Sequence, residues 1–408
     1  MAAETVERVK QEQEHAPLTQ AQGPVQGGAP RTGGSGPRSA AAGAAGTEPG
    51  AEPTHRRSGP AGGLPIAIDA MGGDHAPREV VAGALDAHRR LGIPVLLVGQ
   101  PGAFDAEGLD VIPATEVVGM AEEPGQAVRR KKDSSLVRAA EAVRDGRASA
   151  MLSAGNTGAA MAAALLRMGR LPGVARPAVA TTLPVPGASP TVLLDSGANA
   201  ECTPAWLVQF AQMGAAFSTV RFGITAPRVG LLSIGEEPGK GSPLVKETYR
   251  LLEETEGLCF IGNVEGRDLL TDDVDVVVTD GFTGNVALKS LEGALRFFTR
   301  VLLESLDRTE ELRAAARVVL PALAPLADEL DPESQGGAML LGVDGVCVIS
   351  HGASSAKAVA NAARIAYELA AADMVGALAA AVGPTAHRAH PEAEAARTHP
   401  QAAERGGA

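Results

Sequence analysis

The residues able to do chemistry lie in six glycine-rich segments. Asp69, Asp74 and His75 belong to IDAMGGDHAP. Ser153, Gly155, Asn156, Thr157 and Gly158 belong to SAGNTG, and Asp195, Ser196, Gly197 and Asn199 to DSGANAECTP. Glu236, Glu237, Lys240 and Gly241 belong to GEEPGKGSP, and Asp280, Gly281, Thr283, Gly284 and Asn285 to DGFTGN. His351, Ser354 and Ser355 belong to HGASS, while Lys246 and Lys289 stand one turn into the helices that follow their loops. This stock is rich in neutral donors and lysine. Such groups suit a small oxyanion such as phosphate, and they stabilise an oxyanion that develops during reaction, without a covalent nucleophile. Glycine lets the backbone approach such a ligand closely. The chain lacks a G-x-x-x-x-G-K-[ST] loop and a G-x-S-x-G elbow, and MGGDHAP does not fit the dinucleotide pattern. Cys202, Cys259 and Cys347 show neither metal-ligand spacing nor a nucleophile–His motif, so neither metal nor cofactor is expected.

Each segment needs a strand before it and a helix after it. Short β-branched or Leu-rich runs supply the strands: 64–70, 149–153, 191–195, 228–234, 274–279 and 346–350, with 95–98 and 258–261 as further candidates. Ala/Leu-rich helices follow, from about Arg78 and to about Arg170, Val220, Glu256 and Ala372. This alternation predicts an α/β fold, a mostly parallel sheet with helices on both faces. Thr203 before Pro204 and Ser242 before Pro243 read as hydroxyl caps followed by proline at the first helical position. Parallel strands would deliver all six loops, and the positive ends of the following helices, to one sheet edge. A long helix from about Asn285 meets Pro321 and Pro325, which predicts a protruding helical hairpin over about 290–335, with VVLPALAP near its tip.

Composition bounds the rest. The 408 residues are 45% hydrophobic and 21% charged, as in ordinary globular proteins. Residues 1–62 and 381–408 are poor in large apolar side chains and read as disordered tails, without an apolar leader at the start. Residues 63–380 are expected to form the folded catalytic domain. No run reaches the roughly 18 apolar residues of a membrane span. A net charge of -12 and 3% aromatics disfavour a nucleic-acid reader.

Each signal alone also has a plain structural reading. AGNTG is equally a tight turn, His75 and His351 satisfied structural histidines, and Cys202 a small residue at a helix start. The basic run Arg129, Arg130, Lys131 and Lys132 reads as a solvated face or as a dock for an acidic partner. Their shared edge is what favours the chemical reading.

Together IAIDAMGGDHAP, EEPGQAVRRKKDSS, SAGNTGA, LLDSGANA, LLSIGEEPGKG, FIGNVEGRDL, TDGFTGNVALK and HGASS resemble, in order, the bacterial phosphate acyltransferase (PlsX) family, from about Leu64 to about Ala372. The resemblance implies a fold similar to isocitrate and isopropylmalate dehydrogenases, which phosphotransacetylase also resembles. It implies a homodimer with the active-site cleft near the subunit interface. The implied reaction moves a fatty acyl group from acyl carrier protein to inorganic phosphate, giving acyl phosphate for phospholipid synthesis. A cytoplasmic, peripherally membrane-associated location is implied too, with the product passed to an integral glycerol-3-phosphate acyltransferase and the hairpin meeting lipid. On this reading phosphate sits on the AGNTG and DGFTGN loops, helped by Lys240 or Lys289. Asn156, Asn199 or Asn285 would hold the oxyanion, and His75, His351 or solvent would protonate the leaving thiolate. Gly155, Thr157, Gly158, Asp195, Gly197, Glu236, Gly241, Asp280, Gly281, Thr283 and Gly284 would line the site, with Asp69, Asp195 and Asp280 as orienting groups. Arg129–Lys132 would dock the carrier. The alternatives are a coenzyme A-dependent transacylase of the phosphotransacetylase type, a dehydrogenase of the same fold and a lipid-surface scaffold.

Overall fold

A computed structural model describes residues 63–382; the expected tails 1–62 and 381–408 lie outside the described residues except for Ala381, which ends a helix, and Val382, which is buried. The strands are short because few consecutive residues are apolar enough to be buried on both faces. In order they are β1 (Ile66–Asp69), β2 (Val95–Gly99), β3 (Asp110–Pro113), β4 (Ala150–Ser153), β5 (Ala178–Leu183), β6 (Thr191–Leu194), β7 (Arg228–Leu232), β8 (Cys259–Val264), β9 (Val276–Val278), β10 (Ala338–Leu341) and β11 (Val346–Ile349). The helices are α1 (Arg78–Leu91), α2 (Pro124–Arg130), α3 (Ser135–Arg144), α4 (Thr157–Arg167), α5 (Pro204–Phe222), α6 (Pro243–Glu253), α7 (Gly281–Leu306), α8 (Glu310–Leu330), α9 (Ala356–Ala371) and α10 (Met374–Ala381).

Alternate strand residues point to opposite faces, and the core divides accordingly. Ile66 and Ile68 join one cluster with Val80 of α1, Phe210 of α5 and Val359 of α9. Ala67 joins another with Val137 of α3 and Ala159 of α4. Both faces are therefore helix-covered, as a run like IAID requires. The two proposed caps form: Thr203 Oγ1 accepts from the Trp206 N–H, and Ser242 Oγ from the Val245 N–H.

The strands make one sheet, ordered β3-β2-β1-β4-β11-β10-β5-β6-β9-β7-β8. It is not parallel throughout. β10 runs antiparallel to β11 and to β5, and β5 runs antiparallel to β6. β1, β4 and β11 therefore run one way, while β6, β9 and β7 run the other. This overturns the expectation of one shared edge: the six loops leave opposite ends of the sheet in two groups of three. The cause is two strands absent from the sequence reading, AVATTL and AMLL, which reverse direction in the middle. β4 and β9 are five strand steps apart, about 24 Å at roughly 4.8 Å per step.

By compactness, among the described residues, 300–321 form one unit and 63–299 with 322–382 another. The long helix begins earlier than expected, at Gly281, and ends at Leu306. The next helix runs through both Pro321 and Pro325, so VVLPALAP is mid-helix, not at a turn. The break falls at 307–309 because Thr309 caps the new helix, accepting from Leu312 N–H, and Arg313 donates to Asp307 O at 2.7 Å. A cap with Glu310 and Glu311 in the first turn suits a helix start, and it outranks the prolines as the boundary signal.

Candidate active site

The first loop group interlocks. Asp74 N–H donates to Gly352 O at 2.7 Å, joining the turns after β1 and β11. Ser153 Oγ donates to Asp69 Oδ2 at 2.8 Å, joining those after β1 and β4. Asp69 is 2% exposed, and its burial pushes the carboxyl above the usual range, opposed by hydrogen bonds from Ser135 and Ser153. His75 and His351 are both exposed on these turns; His351 Nδ1 faces the Ala353 N–H at 3.3 Å.

Asn156 is not free to hold an oxyanion. Its Oδ1 caps α4 by accepting from the Ala159 N–H at 3.0 Å, and its Nδ2 donates to Met120 O and Glu122 O at 2.9 and 3.1 Å. The side chain is a clamp between the helix start and the 117–122 segment. Glu122 in turn accepts from Lys131 Nζ at 2.5 Å, and that bond holds its carboxyl below the usual range. Lys131 also donates to Val117 O at 2.7 Å. Of the basic run, then, Lys131 turns inward as scaffold, while Arg129, Arg130 and Lys132 are exposed. Gly155 is buried, Thr157 exposed, and Gly158 lies against Pro124, where a Cβ would meet its Cγ at 2.7 Å.

The second group is built around Asp195, which is fully buried. Its carboxylate accepts from the N–H groups of Val179, Gly197, Ala198 and Asn199 and from Asn199 Nδ2. Asn199 Nδ2 also donates to Pro177 O, so Asn199, like Asn156, is committed to structure. Asp280 caps α7 by accepting from the Thr283 N–H and hydroxyl. Gly281 N–H donates to Asn199 O, and Gly284 sits so close to Asp195 O that a side chain would overlap it. Gly197 takes φ +138° and faces Asn285, which is exposed. Lys289 pairs with Glu292 at 3.0 Å. In the neighbouring turn after β7, Lys240 is exposed, Glu236 pairs with Arg267 at 2.8 Å, and Gly241 takes φ +95°. Cys202 lies at the edge of this group, its thiol pushed up to about 12 by burial, which makes it a poor nucleophile.

The helix starts differ in what they offer an anion. Glu79 Oε2 already accepts from the Ala356 N–H of α9, and Asp280 fills the start of α7. Proline at the first position of α5 and α6 removes a donor from each. The start of α4 carries a neutral cap, no proline, and Asn156, Thr157 and Gly158 N–H groups that make no hydrogen bond with the described residues. Sequence reading missed the roles of Glu79, Met120 and Glu122. Glu123 before Pro124 was the available signal for a helix start there: its carboxylate accepts from Gly125 and Gln126 N–H.

This is an α/β protein whose fold is shared with phosphotransacetylases. A Streptococcus pyogenes phosphotransacetylase superposes with a TM-score of 0.51 at 17% identity, over 75% of this chain and 94% of that one. A branched-chain phosphotransacylase from Enterococcus faecalis gives 0.51 at 16%, over 75% and 99%. Residues 64–376 match the family described as fatty acid synthesis protein. Relatives named phosphate acyltransferase are 49% identical in Synechococcus sp., over 75% of this chain and 86% of that one, and 49% in Pelotomaculum thermopropionicum, over 75% and 91%. The chain belongs to this phosphate acyltransferase family.

Proposed function

We propose that this enzyme transfers a fatty acyl group from acyl carrier protein to inorganic phosphate, giving acyl phosphate for phospholipid synthesis, and that the start of α4 binds the phosphate. The supporting observation is the trio of unbonded N–H groups at Asn156, Thr157 and Gly158, on a start free of carboxylate and proline. Such a start favours a dianion. A phosphate oxygen attacks the thioester carbonyl carbon, the C–O bond forms, and the C–S bond breaks. The proton lost from phosphate balances the one gained by the carrier thiolate, and His75 or His351 relays it, or solvent does. With Asn156 and Asn199 committed elsewhere, the oxyanion falls to the Gly352 N–H and His351. A single phosphate is too small to touch both AGNTG and DGFTGN within one chain, so Lys240, Asn285 and Lys289 lie outside this protomer's phosphate site.

The test is release of carrier thiol by the purified chain. Release should require phosphate and proceed with long-chain acyl carrier protein. Activity with acyl-coenzyme A alone would favour the phosphotransacetylase-type alternative.

Arg129, Arg130 and Lys132 suit the acidic carrier protein, and Lys131–Glu122–Asn156 links that surface to α4. Reversing those three charges should raise the carrier KM about tenfold or more while leaving the phosphate KM unchanged, and the effect of the wild-type patch should weaken with salt. Unchanged carrier affinity in the triple variant would discard the dock.

No described helix is long and apolar enough to cross a membrane. Val318 and Val319, the pair on one turn of α8, are 77% and 48% exposed, apolar surface that supports peripheral contact with lipid. Val318→Asp together with Val319→Asp should cut co-sedimentation with anionic vesicles several-fold without loss of thiol release; undiminished co-sedimentation would argue against this surface. A homodimer, which the family resemblance implies, belongs to the same proposal.

A further inference from the structure

The family resemblance gives Asp69 only a general orienting role; the structure ties it to Ser153 in a buried chain of polar groups directly behind the α4 start. Asp69 closes β1, and its Oδ1 accepts from the Met71 N–H at 3.2 Å. Its Oδ2 accepts from Ser153 Oγ at 2.8 Å, and Ser153 Oγ accepts from the Gly155 N–H at 3.1 Å. Both side chains are almost wholly buried, Asp69 at 2% and Ser153 at 1% exposure. One carboxyl therefore holds the turn after β1 directly and the turn after β4 through a hydroxyl.

On the side of the β1 turn this chain is tightly packed. A Cβ on Gly72 would lie 2.6 Å from Asp69 Oδ2 and 2.9 Å from Gly155 N, so the two turns pack backbone on backbone. Gly155 is the last residue before the three N–H groups assigned to phosphate. A small rotation of its peptide re-aims the Asn156 N–H and shifts the lead-in to Thr157 and Gly158, and hydrogen bonds of this kind lose strength steeply with angle.

We propose that Asp69 and Ser153 are positioning residues for the phosphate site, touching neither phosphate nor thioester and acting through Gly155. This rests on the phosphate reading given above. The hydroxyl is required in both directions, as donor to Asp69 and as acceptor from Gly155. Ser153→Ala removes both contacts at little cost in volume, and Ser153→Thr restores them. Asp69→Asn keeps the shape but places an NH2 or a weaker amide oxygen where Ser153 donates.

The experiment uses the full chain and phosphate-dependent thiol release, with the two substrates varied separately and thermal unfolding recorded. Ser153→Ala should raise the phosphate KM about tenfold with the carrier KM within twofold of wild type, and Ser153→Thr should recover most of it. Asp69→Asn should raise the phosphate KM in the same way. A Ser153→Ala enzyme with wild-type phosphate KM would overturn the inference, as would equal rises in both KM values unrelieved by threonine, or a wild-type phosphate KM in Asp69→Asn. A wild-type chain that releases thiol without needing phosphate would instead remove the functional reading, and this inference with it.

Discussion

Asn156→Asp should lose at least a hundredfold in kcat/KM for phosphate while the protein stays folded. The new carboxylate keeps the cap on the Ala159 N–H and suits the positive helix end, which offsets part of the stability lost elsewhere. Two things are lost. The Nδ2 contacts to Met120 O and Glu122 O become oxygen facing oxygen, loosening the 117–122 segment. A negative charge also enters the anion site: at roughly 5 Å and an effective dielectric near 20, each unit of phosphate charge is opposed by about 3 kcal/mol. Asn156→Ala separates the contributions. It should lose about 1 kcal/mol of cap and also the two Nδ2 bonds, lowering the midpoint of thermal unfolding by at least about 2 °C, and its activity should fall less than that of the Asp variant. Were Asn156 the oxyanion donor, both variants would lower kcat alike and leave the phosphate KM alone. Steady-state kinetics with phosphate varied distinguishes the two outcomes.

Removing the Asp195 carboxylate should damage the fold, not the chemistry. Asp195→Ala strands the five N–H donors that converge on it in a site with no exposure. The penalty should reach about 4 kcal/mol or more, a large share of the total stability of a domain. Asp195→Asn fares little better, because its NH2 must face either the Asn199 amide donors or the Val179, Gly197 and Ala198 N–H groups. Denaturant unfolding checks this: both variants should show a much lower midpoint or no soluble protein. A stable Asp195→Ala enzyme with wild-type unfolding and no turnover would assign Asp195 to the reaction instead.

Much of this molecule was legible in its sequence, and the failures share a cause. Strands such as IAID and TVLL are continuous apolar runs buried on both faces, and Thr-Pro and Ser-Pro announce two helix starts; both signals are local. Sheet direction is not. AVATTL and AMLL carry no mark of which way they run, yet their antiparallel pairing divides the six loops between opposite sheet ends. The long helix shows a conflict between local signals: Pro321 and Pro325 looked decisive, but the Thr309 cap set the break, and the helix carries both prolines in its interior. At the site, residue type gave the right neighbourhood and the wrong role. Asn156 and Asn199 are donors, as expected, but their amides are spent on Met120, Glu122, Pro177 and Asp195. Lys131 reads as one of four equivalent cations, yet Glu122, nine residues earlier, turns it inward. Such pairings depend on which turns the fold brings together, and spacing along the chain does not encode them.

Arsenate offers the most direct measurement, since it mimics phosphate and scatters anomalously. In crystals of the full chain soaked with it, the strongest anomalous peak should stand within hydrogen-bond reach of the Asn156, Thr157 and Gly158 N–H groups. A peak at Lys240, or at the start of α7 beside Asp280, with none at α4, would contradict the assignment of phosphate to this turn.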